Sequence, residues 1–143
     1  MAVTNQPLQA ATDMTLEAIA DFGGLVRQRA PFQLPPLSKG HHGDMEAARK
    51  AGLRGPVAYS LHYTGQVGEV LTRAYGARWT AGGRLALFFL KPVCAGDAIR
   101  ITVGARPLDR PPPEPDQLEW LQVDVYNQLD ELVASGCAGI VPA

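Results

Sequence analysis

All three histidines of the chain fall between His41 and His62, and this stretch holds the side chains best suited to move a proton. An imidazole with a pKa of about 6.5 can take up or release a proton near neutrality without a partner group. His42 stands just ahead of Asp44, whose carboxylate suits the free N–H groups of a short helix over Met45 to Ala51, and Gly52 sits where such a helix stops. The turn Arg54-Gly55-Pro56 then forces extended backbone before a second helix can begin near Ala58 to Ser60. This spacing sets an imidazole at the mouth of one turn against uncapped backbone donors at the next helix start, where a developing oxyanion is stabilised.

The elements that must hold this arrangement can be read from periodicity. Residues 1–12 are polar with few apolar anchors and read as a loose arm. Thr12 or Asp13 is expected to cap a helix from Met14 to about Gly23, with Leu16, Ile19, Ala20 and Phe22 on one apolar face. Residues 27–40 contain three prolines and no period, which gives an irregular loop able to shape the pocket around His42. From Ser60 to Tyr75 the pattern is helical. Tyr63, Val67, Val70 and Ala74 form one stripe; Leu61, Gly65, Gly68 and Thr72 form a second of mostly small residues, so this helix is expected to be wrapped on two sides.

Four strand candidates follow. Arg84 to Val93 is apolar on both faces and is expected to be central. Ala98 to Arg106 alternates, Gln117 to Asn127 sets Leu121, Val123 and Val125 against Trp120, Gln122, Asp124 and Tyr126, and Glu131 to Val141 ends the set. Pro107 to Asp116 reads as a protruding hairpin loop and residues 127–130 as a tight hairpin. Helices first and an antiparallel meander after give an α+β domain with a sheet curled around one long helix.

With 143 residues the chain fits one domain, and its formal charge of −1 provides no basic field for nucleic acid. Cys94 and Cys137 lie in no CxxC or Cys/His cluster and are expected to be reduced, buried thiols. Met1 to Ala20 has neither the apolar run of a membrane anchor nor the pattern of a signal peptide, so the expected location is the cytoplasm, with no membrane partner. No metal is expected: adjacent histidines seldom point at one ion, and no zinc spacing is present.

The run His42-Gly43-Asp44-Met45-Glu46-Ala47-Ala48-Arg49-Lys50-Ala51-Gly52-Leu53-Arg54-Gly55-Pro56-Val57-Ala58 resembles the hydratase segment of MaoC-like hot-dog proteins, the R-specific enoyl-CoA hydratases and 3-hydroxyacyl dehydratases. Phe89 to Asp97 is similar to their "KPV..GD" strand and turn, and Val125 to Gln128 with Val133 to Ala138 is similar to their last hairpin. The resemblance implies a hot-dog fold, a dimer joined at its sheet edges with an identical or a different hot-dog subunit, and an acyl-thioester substrate carried on CoA or a carrier protein, with no further cofactor. By the same resemblance His42 is the acid/base, the Ser60 backbone N–H holds the thioester oxygen, and Tyr59, His62, His41 and Gly55 surround the substrate. One departure stands out. The family's D-x-N-P-x-H run places an aspartate where this chain has Leu37 and an asparagine where it has Lys39.

Three functions follow as expectations: a hydratase or dehydratase lyase using His42; a hot-dog thioesterase in which Glu69 activates water; and a non-catalytic subunit or binding module. Asp44, though suited to capping, and Glu69 are the alternative acids. For His41 and His62 the plain alternatives are a bystander at the turn and a packed helix residue.

Overall fold

The computed structural model describes residues 8–19, 40–113 and 117–143. Among these residues the sheet has five strands: β1 (Leu8–Met14), β2 (Arg84–Phe89), β3 (Asp97–Val103), β4 (Glu119–Tyr126) and β5 (Leu132–Ile140), in the antiparallel order β1-β3-β4-β5-β2. The helices that precede β2 include α1 (Met45–Lys50), α2 (Ser60–Tyr75) and the single turn α3 (Ala77–Thr80). This is the hot-dog arrangement, a curved antiparallel sheet holding one long helix.

The core forms where α2 meets the inner face of the sheet. Tyr63, Val67 and Leu71 recur at helical spacing and pack with Ile99, Ile101 and Val103 of β3, Val123 and Val125 of β4, and Val133, Ala134 and Ala138 of β5. The residues of β3 and β4 alternate, so one face of each supplies this layer, while on β5 the adjacent Val133 and Ala134 both enter it at the register shift opposite Val125 and Tyr126. Gly136 allows β5 and β2 to approach closely, because a Cβ there would lie 1.8 Å from the carbonyl oxygen of Ala86.

Several elements differ from the sequence expectation. Residues 8–12, expected in a loose arm, belong to β1, which pairs with β3 from Leu8↔Val103 to Met14↔Asp97. The helix expected from Met14 begins later: residues 16–19 are helical, and Thr15, rather than Thr12 or Asp13, accepts the Ala18 N–H at 3.0 Å. Its expected continuation from Ala20 to Gly23 and the loop 27–39 lie outside the described residues.

The strand expected to be central is at the sheet edge, paired only with β5 among the described residues. Its apolar outer residues face outward, and Phe88 is 55 % exposed. The second stripe of α2 is not enclosed by described residues either: Leu61 is 66 % exposed and Gly65 is open. The proline-rich connection does not simply protrude. Arg106 turns back to hold Asp124 at 2.7 and 2.8 Å, and the Asp109 N–H donates to Gln122 at 3.0 Å, which buries Gln122 and Asp124 on the outer sheet face.

Candidate active site

The segment before α1 is a tight turn in which the N–H groups of Gly43 and Asp44 both donate to the Gly40 carbonyl, at 3.0 and 2.9 Å. Asp44 then caps α1, accepting the Ala47 N–H at 2.7 Å, and Gly52 with φ of 78° ends it. These short-range signals turn the chain back on itself, so that the Val57 N–H donates to the His41 carbonyl at 2.8 Å. His42 is thereby delivered to Val57, and its Nδ1 lies 2.7 Å from the Val57 carbonyl oxygen.

A carbonyl can only accept, so Nδ1 carries the proton in this bond and Nε2 keeps the lone pair. The ring stacks on Tyr59 with centroids 3.9 Å apart and planes 12° apart, and the His41 ring lies beside it, tilted by 43° with centroids 4.3 Å apart. Burial lowers the His42 pKa below 6.5, the bond to Val57 opposes that shift, and His41 adds to the lowering. The imidazole is therefore neutral at pH 7, the form that acts as a base.

The other half of the site is the start of α2. Ala58 N–H donates to Val93 at 2.8 Å, Ala95 N–H donates to Pro56 at 2.7 Å, and Val57 bridges Cys94. This short ladder fixes the extended residues before α2. Tyr59, at φ −64° and ψ 134°, makes no side-chain cap hydrogen bond, so among the described residues Ser60 opens the helix with no capping side chain on its first N–H groups. His42, Ser60, Tyr63, Phe89 and Lys91 line one cleft of about 340 Å³. A base and a helix N-terminus therefore face the same space.

Behind the cleft, Asp97 is buried and receives four hydrogen bonds. Arg54 donates two, at 3.1 and 2.8 Å, Cys94 N–H one at 2.9 Å and Gln128 one at 3.0 Å. Burial alone would raise the pKa of this carboxyl, but those donors outweigh it and hold it below the usual 3.8. The arrangement ties the Arg54 turn to β3 and to the hairpin after β4.

The remaining residues singled out from the sequence are dispersed. His41 is exposed and its side chain does not line the cleft, although its carbonyl accepts the Val57 N–H and its ring lies beside that of His42; His62 is half-buried on α2 and does not line the cleft, and burial lowers its pKa. Gly55 is buried beneath Met45, where a Cβ would meet that side chain at 3.6 Å, so it serves the turn rather than the cleft. Asp44 is occupied as a cap. Glu69 pairs with Arg73 and lines a different cleft, of about 200 Å³, between α2 and β1. Among the described residues no carboxylate lines the His42 cleft, and no group of three His, Cys, Asp or Glu is placed to hold a metal ion. Cys94 and Cys137 are both free and buried.

Sequence reasoning missed the roles of Tyr63, Phe89 and Lys91 as cleft walls. Tyr63 carried the one usable signal, since it lies one helical turn after Ser60; Lys91, which pairs with Glu131, carried none. No helix among the described residues is long and apolar enough to cross a membrane.

No protein-family profile and no curated protein sequence matches the chain. Solved structures do. A subunit in the ChsH1-ChsH2 complex from Mycobacterium tuberculosis superposes with a TM-score of 0.70 at 16 % identity, covering 100 % of both chains. A MaoC-like dehydratase from Rhodospirillum rubrum gives 0.62 at 24 % identity over 99 % of this chain and 92 % of that one. An (R)-hydratase from A. caviae involved in PHA biosynthesis gives 0.64 at 16 % identity over 96 % and 95 %. The chain thus has the hot-dog fold shared by these MaoC-like hydratases and dehydratases.

Proposed function

We propose that the chain is a MaoC-like hydratase or dehydratase acting on an enoyl or 3-hydroxyacyl thioester, with His42 as its acid/base. The observation that carries this reading is the bond from His42 Nδ1 to the Val57 carbonyl beside a cleft shared with the start of α2. It leaves a neutral Nε2 as base and the Ser60 N–H as the donor to the thioester oxygen.

One imidazole is enough for the whole reaction. In hydration, Nε2 takes a proton from water while the water oxygen bonds to Cβ, and the double-bond electrons move to Cα and the thioester oxygen, held by Ser60 N–H. The imidazolium then returns that proton to Cα, and the carbonyl re-forms. Water has been added, the ring is neutral again, and no second acid has been used. Dehydration is the reverse path. Leu37 in the family's aspartate position removes the group that would share this work, so the reaction rests on placement of the ring.

The carrier is CoA or a carrier protein, and the partner is a second hot-dog subunit, identical or different, on the β2 edge where Phe88, Phe89 and Leu90 are exposed. Glu69 shares no cleft with His42, and nothing in its setting favours the thioesterase reading. The absence of a carboxylate from the cleft, among the described residues, favours one second reading: a subunit whose partner chain supplies the chemistry.

The test is hydration of crotonyl-CoA, followed as loss of enone absorbance, by the parent and by His42→Ala. The expected loss in the variant is about 10²- to 10⁴-fold. Equal turnover by both removes His42 from the reaction, and turnover that appears only on mixing with a second hot-dog chain selects the subunit reading.

A further inference from the structure

Tyr63 lies on α2 three residues after Ser60, on the same side of the helix. Helical side chains lean toward the N-terminus, so its ring is carried toward the end that presents the Ser60 N–H. The residue is 3 % exposed and packs edge-on against Phe89 with centroids 5.7 Å apart, yet it forms part of the wall of the His42 cleft. A buried tyrosine hydroxyl ordinarily finds a partner. Among the described residues no hydrogen bond to the Tyr63 hydroxyl is seen, and its oxygen is not one of the fully enclosed polar atoms left without a partner, so it is reached from the cleft.

For packing alone, phenylalanine would fill the same volume without desolvating a hydroxyl. A hydroxyl with no partner among the described residues, at the wall of a cleft that already holds a base and a helix N-terminus, is placed to donate to an oxygen atom of a bound molecule. Burial pushes the phenol up to about 12, so it stays protonated and can donate at any pH the protein works at.

We infer that the Tyr63 hydroxyl is a second donor to the thioester carbonyl oxygen, acting beside the Ser60 N–H as negative charge develops there. The inference rests on the proposed reading of the cleft and extends it by naming a substrate-contacting side chain and the atom it contacts. Tyr63 gives up no proton; the proton moved in the reaction is carried by His42 alone. Two donors on one oxygen compensate in part for the missing carboxylate, because they lower the barrier to the enolate that His42 must form unaided.

The experiment uses Tyr63→Phe in the full chain with two readouts. Turnover of crotonyl-CoA is expected to fall about 10²- to 10³-fold in kcat, the usual effect of losing one such donor, with the thermal midpoint equal to or above the parent's. Independently of turnover, binding of butyryl-CoA is compared with binding of its thioether counterpart, which lacks the carbonyl oxygen. The parent is expected to prefer the thioester, and Tyr63→Phe to lose most of that preference by weakening thioester binding alone. A parent with no preference, or a variant that keeps both preference and kcat, overturns the role of Tyr63. Loss of turnover in Tyr63→Phe with His42→Ala fully active would leave the carbonyl contact standing and reject the acid/base role of His42. Should Tyr63→Phe fail to fold, the hydroxyl is a structural group and the inference is rejected.

Discussion

Ser60→Pro separates the backbone N–H at the head of α2 from every other property of that position. Ser60 is the first helical residue, where proline is well accepted because its missing N–H is among those with no partner inside the helix. Proline also requires extended backbone in the residue before it, and Tyr59 already has φ −64° and ψ 134°. The bond from Thr64 Oγ1 to the Ser60 carbonyl, 2.7 Å, does not involve the nitrogen and is retained. The substitution is therefore expected to leave stability within about 1 kcal/mol of the parent, since a compatible proline also restricts the unfolded chain. Catalysis should respond differently: loss of one oxyanion donor lowers kcat by about 10²- to 10³-fold. The assay is crotonyl-CoA hydration beside thermal unfolding, with Ser60→Ala, which keeps the N–H, as the reference variant. A folded Ser60→Pro protein that turns over as fast as Ser60→Ala would refute the placement of the thioester oxygen at this helix start.

Asp97→Asn replaces one acceptor oxygen by a donor that faces Arg54 or Gln128, and a hydrogen bond to a charged group contributes about 1.5–3 kcal/mol. For a chain of this size that is a fall of roughly 3–12 °C in the thermal midpoint. Because the folded Asp97 pKa is below 3.8, the stabilisation is complete above that pH and disappears as pH falls through the folded value. The gap between parent and variant should therefore close in acid; a gap of constant size from pH 7 to pH 2 would show that the carboxylate charge is not responsible. Gly136→Ala places a methyl group 1.8 Å from the Ala86 carbonyl oxygen, so β2 must separate from β5. A loss of at least about 1–3 kcal/mol is expected in denaturant unfolding, and parental stability would contradict the strand register.

The parts of the site encoded over a few residues were legible in the sequence. Asp44 as a cap, Gly52 as a stop and the opening of α2 at Ser60 each depend on backbone chemistry within one turn, and the structure has each of them. What depends on distant partners was not legible. The segment Leu8–Met14 contains little β-branched character and becomes a strand because β3 offers it a complete ladder. Arg84–Phe89 is apolar on both faces, a pattern common to a buried central strand and to an edge whose apolar side chains remain exposed. Gln122 and Asp124 share one face of their strand with Trp120 and Tyr126, and Arg106 and Asp109, returning from the preceding loop, make them interior together with Ser135. Tyr63 fitted the core stripe so well that its hydroxyl was passed over. Periodicity reports which face a residue occupies, but not whether its polar atom has found a partner.

The central claim is that a neutral His42, its Nδ1 proton committed to Val57, supplies the base through Nε2. The most direct measurement is the pH dependence of kcat/KM for crotonyl-CoA hydration by the intact protein. Burial lowers the His42 pKa below 6.5, so the rate should be level at neutral pH and fall in acid through a single ionisation below 6.5 that is missing from any residual activity of His42→Ala. A profile that is flat through this range, or one whose inflection persists unchanged in His42→Ala, would contradict the account.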